Sequence, residues 1–409
     1  MKKLFALLIS VMLCFCFVAC TTTPVNKSEV SSVITESETS SFASSDSDET
    51  SSEPTSSKSN STSTSSKNNS TSSKASVSSG DTSSKASTSS HIASVSIPSN
   101  LRPVISSKPS TDKVSSTVLG GTQEDSQNST ITPLLYSVKG QNGATIYLFG
   151  SIHVGSMKMY PFPSYLISAI MGSDSVAVEY NLLQVEDSAA TSALLKVMYK
   201  DGRTIKNDLT DQVYSSAKSI LQRHKLYDPN FDYYQPVVWS NLIDSIVTAS
   251  ASYSAEIGID VAVIDMALYD KKEIIEIESI ESQYEVMSSL SVPLQDYLLR
   301  NSINNYKSYN PFKETEDLID VWCKGDYESL RKLSGVNADG QSPTTKALLE
   351  EYHTKMQTNR DKKMTDFVVE SLKGDKDIFV CVGTAHVVGE NGIIDQLKDL
   401  GYTVTQITK

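Results

Sequence analysis

The stretch IYLFGSIHVGSMKMYPFPSYLISAIMGSDSVAVEY, residues 146–180, predicts a strand, a helix and a second strand. Its apolar start has strand character and ends at a glycine, and His153 follows just beyond that end. Residues 164–172 then show apolar side chains at helical spacing and stop at another glycine. A short apolar run follows and ends at Glu179. We therefore expect His153 and Glu179 at the carboxyl ends of two strands, where ligand sites form in open α/β sheets.

A second stretch, DIFVCVGTAHVVGENG (residues 377–392), repeats the first part of this pattern. Both copies read apolar run, Gly, Ser or Thr, any residue, His, Val, and the second histidine is His386. With 18 Gly and 5 His in 409 residues, about 0.2 Gly-x-x-His motifs are expected by chance. Either histidine alone is read as a hydrogen-bonded residue at a strand end. The matched pair indicates that His153 and His386 are two halves of one site.

The surrounding sequence predicts the rest of the fold. LLYSVKGQNGATIYLFG reads as a hairpin, GIIDQLKDLG as a helix, YTVTQIT as a closing strand, and EIIEIES as a strand that ends near Glu278. Most of residues 237–373 shows helical spacing of apolar residues. We predict an α/β (α+β) fold, with a mixed central sheet built from two related strand–helix–strand units and a helical insertion between them.

The N-terminus predicts export. Residues 1–19 have a basic start and a short apolar run, as in a signal peptide of the lipoprotein type. The sequence Phe-Val-Ala-Cys that ends at Cys20 resembles a lipobox, which makes Cys20 the expected lipidation site. Ordinary secretory cleavage and an uncleaved anchor are the alternatives. Lipidation would attach the protein to the extracellular face of a bacterial cell membrane.

A polar linker and an acidic domain follow. Residues 51–90 contain 26 Ser or Thr, so we predict that residues 20–130 form a disordered linker that cannot bury a core. Residues 131–409 form the predicted domain and carry 26 basic and 37 acidic side chains. This negative charge argues against nucleic acid as a partner.

Two imidazoles and a carboxylate are the ligands of a divalent metal site with open positions. We interpret His153, His386 and Glu179 as that set, because Glu179 ends a strand in the same unit as His153. The set suits zinc, manganese or ferrous iron. A metal there lowers the pKa of a coordinated water molecule and polarises a carbonyl group, which is the chemistry of metal-assisted hydrolysis.

Four blocks of the chain resemble the TraB/GumN family, which is related to the TIKI metalloproteases. The blocks are IYLFGSIHVG with YPFPSYLISAIMGSDSVAVEYN, GIDVAVIDMALYDKKEIIEIESIESQ, NRDKKM, and FVCVGTAHVVGENGIIDQLKDLGYTV, in order across residues 133–407. The resemblance implies a tandem-repeat α/β fold and a site of two Gly-x-x-His motifs with an acid. Carried over, the site residues are His153, His386 and Glu179, with Arg360 and Glu278 as further candidates.

Two departures and several alternatives accompany this resemblance. The family often has Arg-Asn where this chain has Arg360-Asp361, and often Leu where it has Val387; neither position is a proposed ligand. Arg360 is either part of a solvated helix face or a fork for a substrate carboxylate or for Glu278. Glu278 could also be a surface acid, and Asp260 is most simply a helix-start acid.

Two functions from different classes therefore remain open. The first is a surface-tethered metal-dependent hydrolase, peptidase-like, with a peptide or protein substrate and Mn, Co or Zn as its metal. The second is a non-catalytic lipoprotein that binds haem or metal or serves as an interaction module.

Overall fold

The structure is a computed structural model that describes residues 129–250 and 253–408. The predicted signal peptide, Cys20 and the predicted linker up to residue 128 lie outside the described residues.

The described residues form one six-stranded mixed sheet, as predicted. Its strands are β1 (Leu135–Lys139), β2 (Thr145–Ser151), β3 (Ser175–Val178), β4 (Glu273–Glu276), β5 (Ile378–Gly383) and β6 (Val404–Ile407). They lie in the order β4-β3-β5-β2-β1-β6. The first four strands in this order run parallel to one another. β1 pairs antiparallel with β2 on one side and with β6 on the other.

Helices cover the sheet and fill the segment between β3 and β5. Those in the described residues are α1 (Ser164–Gly172), α2 (Asp187–Lys196), α3 (Asp211–Arg223), α4 (Pro236–Ser250), α5 (Ile259–Tyr269), α6 (Ile280–Ser288), α7 (Val292–Lys307), α8 (Lys313–Lys324), α9 (Tyr327–Ser334), α10 (Pro343–His353), α11 (Asn359–Ser371), α12 (Thr384–Val388) and α13 (Ile393–Asp399). A π-helical turn, Thr354–Thr358, joins α10 to α11.

The predicted hairpin is confirmed as β1 and β2, and its turn ends at Gly143, whose positive φ of 102° favours glycine. Both predicted strand–helix–strand units are present as β2–α1–β3 and β5–α13–β6. The strands within a unit are not neighbours, since β5 lies between β2 and β3, and both β2 and β1 lie between β5 and β6.

This strand order places the two Gly-x-x-His motifs next to each other. β2 and β5 are parallel neighbours, and Ser151 of β2 pairs with Gly383 of β5. All six residues of β5 are buried, as expected for an apolar strand in the middle of a parallel sheet. Both motifs therefore emerge at the same edge of the sheet.

Two buried apolar clusters meet at the end of β3. One cluster surrounds the sheet and includes Phe149 and Val178. The other joins helices of the insertion and includes Trp239 and Tyr180. Glu179 lies between Val178 and Tyr180 in the chain, so the end of β3 carries this acid to the junction of the two clusters.

No helix in the described ranges is both long enough and apolar enough to cross a membrane.

Candidate functional site

The four parallel strands each deliver one candidate residue at their carboxyl ends. His153 follows β2, Glu179 follows β3, Glu278 follows β4, and His386 lies in α12 directly after β5. His153, Glu179 and His386 are 5%, 8% and 0% exposed, and the Glu278 side chain is 5% exposed. Since neighbouring parallel strands end at the same edge, these four residues line one buried edge of the sheet.

Arg360 joins this edge from α11, immediately after the π-helical turn. Its Nη2 donates to Oε2 of Glu179 at 2.7 Å and to Oε2 of Glu278 at 2.6 Å, and its Nε donates to Oε1 of Glu278 at 3.0 Å. Arg360 is 4% exposed. Because both side chains are buried, Arg360 is not part of a solvated helix face and Glu278 is not a surface acid, so both of these readings are wrong. Arg360 instead forms a fork on Glu278.

Hydrogen bonds hold both oxygens of Glu179. Oε1 accepts from the N–H of Gly383 at 2.8 Å, while Oε2 accepts from Arg360 and from Nε2 of Gln283 at 2.9 Å. An ionised carboxylate has about four acceptor positions, so the bonds among the described residues leave one of them open on Oε1. Burial alone would raise the pKa of Glu179, but Arg360, the two histidines and the Gly383 N–H hold this pKa well below its ordinary value. Glu179 is therefore ionised at neutral pH.

A carboxylate orients each histidine. Nδ1 of His153 lies 2.8 Å from Oδ2 of Asp260, and Nδ1 of His386 lies 2.5 Å from Oδ1 of Asp361. A carboxylate at Nδ1 favours the tautomer that carries its proton there and keeps a lone pair on Nε2. Nε2 of His386 is buried and has no hydrogen-bond partner in the part of the chain that the structure describes. The nitrogen of His386 that could bind a ligand is thus oriented and unused.

The charge on His386 depends on the groups around it. Burial and the nearby Arg360 would lower the pKa of His386, but Asp361 and Glu179 outweigh them and raise this pKa above its ordinary value. A proton and a metal ion therefore compete for Nε2 of His386, and metal binding there must release the proton.

Gly383 leaves space at the centre of the site. A Cβ atom at this position would lie 3.3 Å from Oε1 of Glu179, 3.5 Å from Cδ2 of His386 and 3.7 Å from Nε2 of His153. The three predicted ligands therefore surround the point where any other residue would place its side chain. Glycine here permits their close approach.

Three further residues of the site were not predicted. Asp260 was read only as a helix-start acid; it is the second residue of α5, and its side chain contacts His153. Asp361 was noted only as a departure from the family pattern, although it contacts His386. The need of a metal-binding histidine for a partner at Nδ1 predicts a nearby acid, but it does not say which one. Gln283 gave no signal in the sequence, since only the fold brings α6 to Glu179.

The donor atoms fit a divalent metal in their chemistry. Such ions commonly bind imidazole nitrogens and carboxylate oxygens. The site offers the imidazoles of His153 and His386, whose Nδ1 atoms are bonded to carboxylates, and Oε1 of Glu179. Within residues 129–250 and 253–408, no group of three or more His, Cys, Asp or Glu side chains is arranged at metal-binding geometry. Oε2 of Glu179 is bonded to Arg360 and Gln283, so Oε1 is the oxygen with which this carboxylate would bind a metal ion.

The fold and the site define an α/β protein with two histidines at one buried edge of its sheet, each bonded to a carboxylate. Arg360, Glu179 and Glu278 lie at the same edge. The TraB/PrgY/gumN family matches residues 134–406, and the chain belongs to this family.

Similar proteins include the metalloprotease TIKI2 of Xenopus tropicalis, 24% identical over 300 residues, which are 63% of this chain and 57% of that protein. The metalloprotease TIKI homolog of Nematostella vectensis is 22% identical over 308 residues, 64% of each chain. The matched part thus spans 57% and 64% of the length of these curated relatives. No solved structure matches the chain.

Proposed function

We propose that this protein is a divalent-metal-dependent hydrolase of peptide bonds. The single observation that carries the proposal is the pair of buried histidines, His153 and His386, whose Nδ1 atoms are both bonded to carboxylates at one sheet edge. This arrangement is typical of histidines that ligate a metal. The similarity to proteins named metalloproteases supports the reaction class.

In this proposal His153 and His386 hold the metal through Nε2, and Glu179 contributes its remaining acceptor position. The metal, Mn²⁺, Co²⁺ or Zn²⁺, would polarise the peptide carbonyl and lower the pKa of a water molecule. Hydrolysis places the hydroxyl of water on the carbonyl carbon and its other proton on the leaving amine.

The protein's own residues prepare the site for this reaction. Asp260 and Asp361 fix the orientation of the two imidazoles. Arg360 and Gln283 hold Glu179 in place, and Arg360 keeps it ionised, which adds negative charge beside the cation. Burial of these groups strengthens their electrostatic interactions relative to water.

The test is calorimetric titration of the purified full chain with Mn²⁺, Co²⁺ and Zn²⁺, followed by incubation of the loaded protein with a pool of quenched fluorescent peptides. His153→Ala and His386→Ala should each abolish metal binding and cleavage. The matched control is His224→Ala, because His224 is exposed and bonds Tyr306 away from the site. Unchanged binding in either site variant would contradict the proposal. Stoichiometric uptake of metal or haem without turnover would favour the non-catalytic binding lipoprotein.

The proposal includes attachment to the membrane through lipidated Cys20. The Phe-Val-Ala-Cys sequence after a short apolar run supports it. Cys20→Ala should move the protein from the membrane fraction of cells to the soluble fraction, whereas equal membrane content would contradict lipidation.

A further inference from the structure

The hydroxyl group of Tyr180 is buried without a hydrogen-bond partner in the described residues. The residue is 4% exposed and belongs to the apolar cluster of the helical insertion. A buried polar atom without a partner destabilises the folded state, and such atoms are uncommon in native proteins. A phenylalanine would fill the same space without this cost. The hydroxyl therefore calls for an explanation outside the packing of the core.

Tyr180 lies next to the candidate site and shares a pocket with it. The same small pocket is lined by Tyr180, His153, Glu179 and Asp260, and Leu182 contributes to its apolar wall. A ligand carbonyl that reaches His153 from this pocket would thus meet the tyrosine beside it.

The protonation state of Tyr180 suits a hydrogen-bond donor. An ordinary phenol has a pKa of about 10, well above neutral pH. The hydroxyl therefore keeps its proton throughout the neutral pH range. A phenol that keeps its proton donates one hydrogen bond.

We infer that the hydroxyl of Tyr180 donates a hydrogen bond to the carbonyl oxygen of the substrate, and to the oxyanion that this oxygen becomes when the carbonyl electron pair moves onto it. This inference rests on the proposed hydrolase function and identifies Tyr180 as a further catalytic residue. The bond strengthens as charge develops on the oxygen, so it stabilises the transition state more than the bound substrate.

The test compares Tyr180→Phe with Tyr234→Phe in the full chain loaded with Mn²⁺. Tyr234 is a matched control because it is also a buried tyrosine of the helical cluster, 3% exposed. Tyr180→Phe should lower kcat for peptide cleavage about 100- to 1,000-fold with little change in KM, and the control should not. Tyr180→Phe should leave Mn²⁺ affinity unchanged and should not lower the thermal midpoint. A lowered midpoint would overturn the inference, because it would show a structural role for the hydroxyl.

A second measurement separates this inference from the proposed function. The probe is the phosphinic analogue of alanylalanine, which resembles the tetrahedral intermediate of peptide hydrolysis, and its binding is measured by calorimetry. Tyr180→Phe should weaken its binding at least about tenfold, as expected for a lost bond to charged oxygen.

The possible outcomes are distinct. Equal binding and equal kcat in wild type and Tyr180→Phe would overturn the inference while leaving the hydrolase intact. Binding that depends on Tyr180 without cleavage of any peptide would overturn the hydrolase function alone. A wild-type protein that neither binds the analogue nor cleaves peptides would overturn both.

Discussion

Nη2 of Arg360 lies 2.7 Å from Oε2 of Glu179, and the same nitrogen lies 2.6 Å from Oε2 of Glu278. One buried guanidinium therefore serves two buried carboxylates that come from the ends of neighbouring strands. This contact ties α11 to β3 and β4 and keeps Glu179 charged in an interior that would otherwise favour its neutral form.

Removal of the buried cation should destabilise the fold. Arg360→Met leaves two buried carboxylates without their cation, and we expect a loss of about 3–5 kcal/mol in the free energy of unfolding. Urea denaturation at neutral pH measures this loss. The control is Arg300→Met, because Arg300 is 43% exposed and pairs with Asp296 at the surface; a surface pair contributes about 1 kcal/mol or less. Similar small losses in both variants would show that Arg360 does not stabilise the site.

The carboxylates behind the histidines should control metal affinity. Asp260→Asn and Asp361→Asn weaken the acceptor at Nδ1 of His153 and His386, and we expect each to lower Mn²⁺ affinity about 10- to 100-fold. Calorimetry on the full chain provides the measurement. Asp366→Asn, in the same helix as Asp361 but exposed and paired with Lys362, should leave the affinity unchanged. A variant that binds Mn²⁺ as tightly as the wild type would exclude the orienting role of its aspartate.

A single methyl group at Gly383 should disturb the centre of the site. In Gly383→Ala the new Cβ lies 3.3 Å from Oε1 of Glu179, which is tight and requires the carboxylate to shift. We expect more than about tenfold weaker Mn²⁺ binding together with a stability loss of about 1–3 kcal/mol. Gly172→Ala is the control, since a Cβ there meets no atom within 4 Å. The idea fails if both alanine variants bind Mn²⁺ like the wild type.

Asp244 in α4 should make stability depend on pH. Burial raises its pKa to about 8, and although Ser302 donates to Oδ2 at 2.9 Å, Oδ1 has no partner among the residues described. The folded protein therefore keeps this proton when the unfolded chain, with an ordinary pKa of 3.8, releases it. The contribution of Asp244 to the free energy of unfolding is full below its pKa in the unfolded chain. It decreases as pH rises toward the pKa of Asp244 in the folded protein, by up to about 1.4 kcal/mol per pH unit.

Urea titrations between pH 4 and pH 9 on wild type and Asp244→Asn measure this effect. Asparagine does not titrate, so the variant should lack the decrease in stability that Asp244 causes as pH rises. Its free energy of unfolding should therefore increase relative to that of the wild type between about pH 4 and pH 8. Asp366→Asn, at an exposed position, should follow the wild-type curve. Parallel curves for Asp244→Asn and wild type would exclude the effect.

The helices and strands near the site followed from local sequence patterns. The runs that end in Gly-x-x-His became β2 and β5, and EIIEIES became β4. The helical pattern of residues 344–373 was also correct, but its interruption by a π-helical turn before Arg360 was not predicted. An inserted residue in a helix leaves little trace in apolar periodicity, although π-helical turns are common at functional sites.

The candidate site was predicted only in part. His153, His386, Glu179, Arg360 and Glu278 all lie at one buried edge, as the strand ends and the family resemblance led us to expect. The partners of the histidines were missed because Asp260 and Asp361 approach from α5 and α11, and no local pattern encodes which helix face packs on which strand end. The role of His153, His386 and Glu179 as metal ligands stays a prediction.

The sequence by itself determined where each strand ends and which polar residue follows it, because side-chain periodicity and glycine positions act over a few neighbouring residues. The tertiary structure alone decided that β5 inserts between β2 and β3, and that Arg360 neutralises two acids from different strands. Those choices depend on burial of apolar surface between segments far apart in the chain. The same burial brings each histidine to its aspartate.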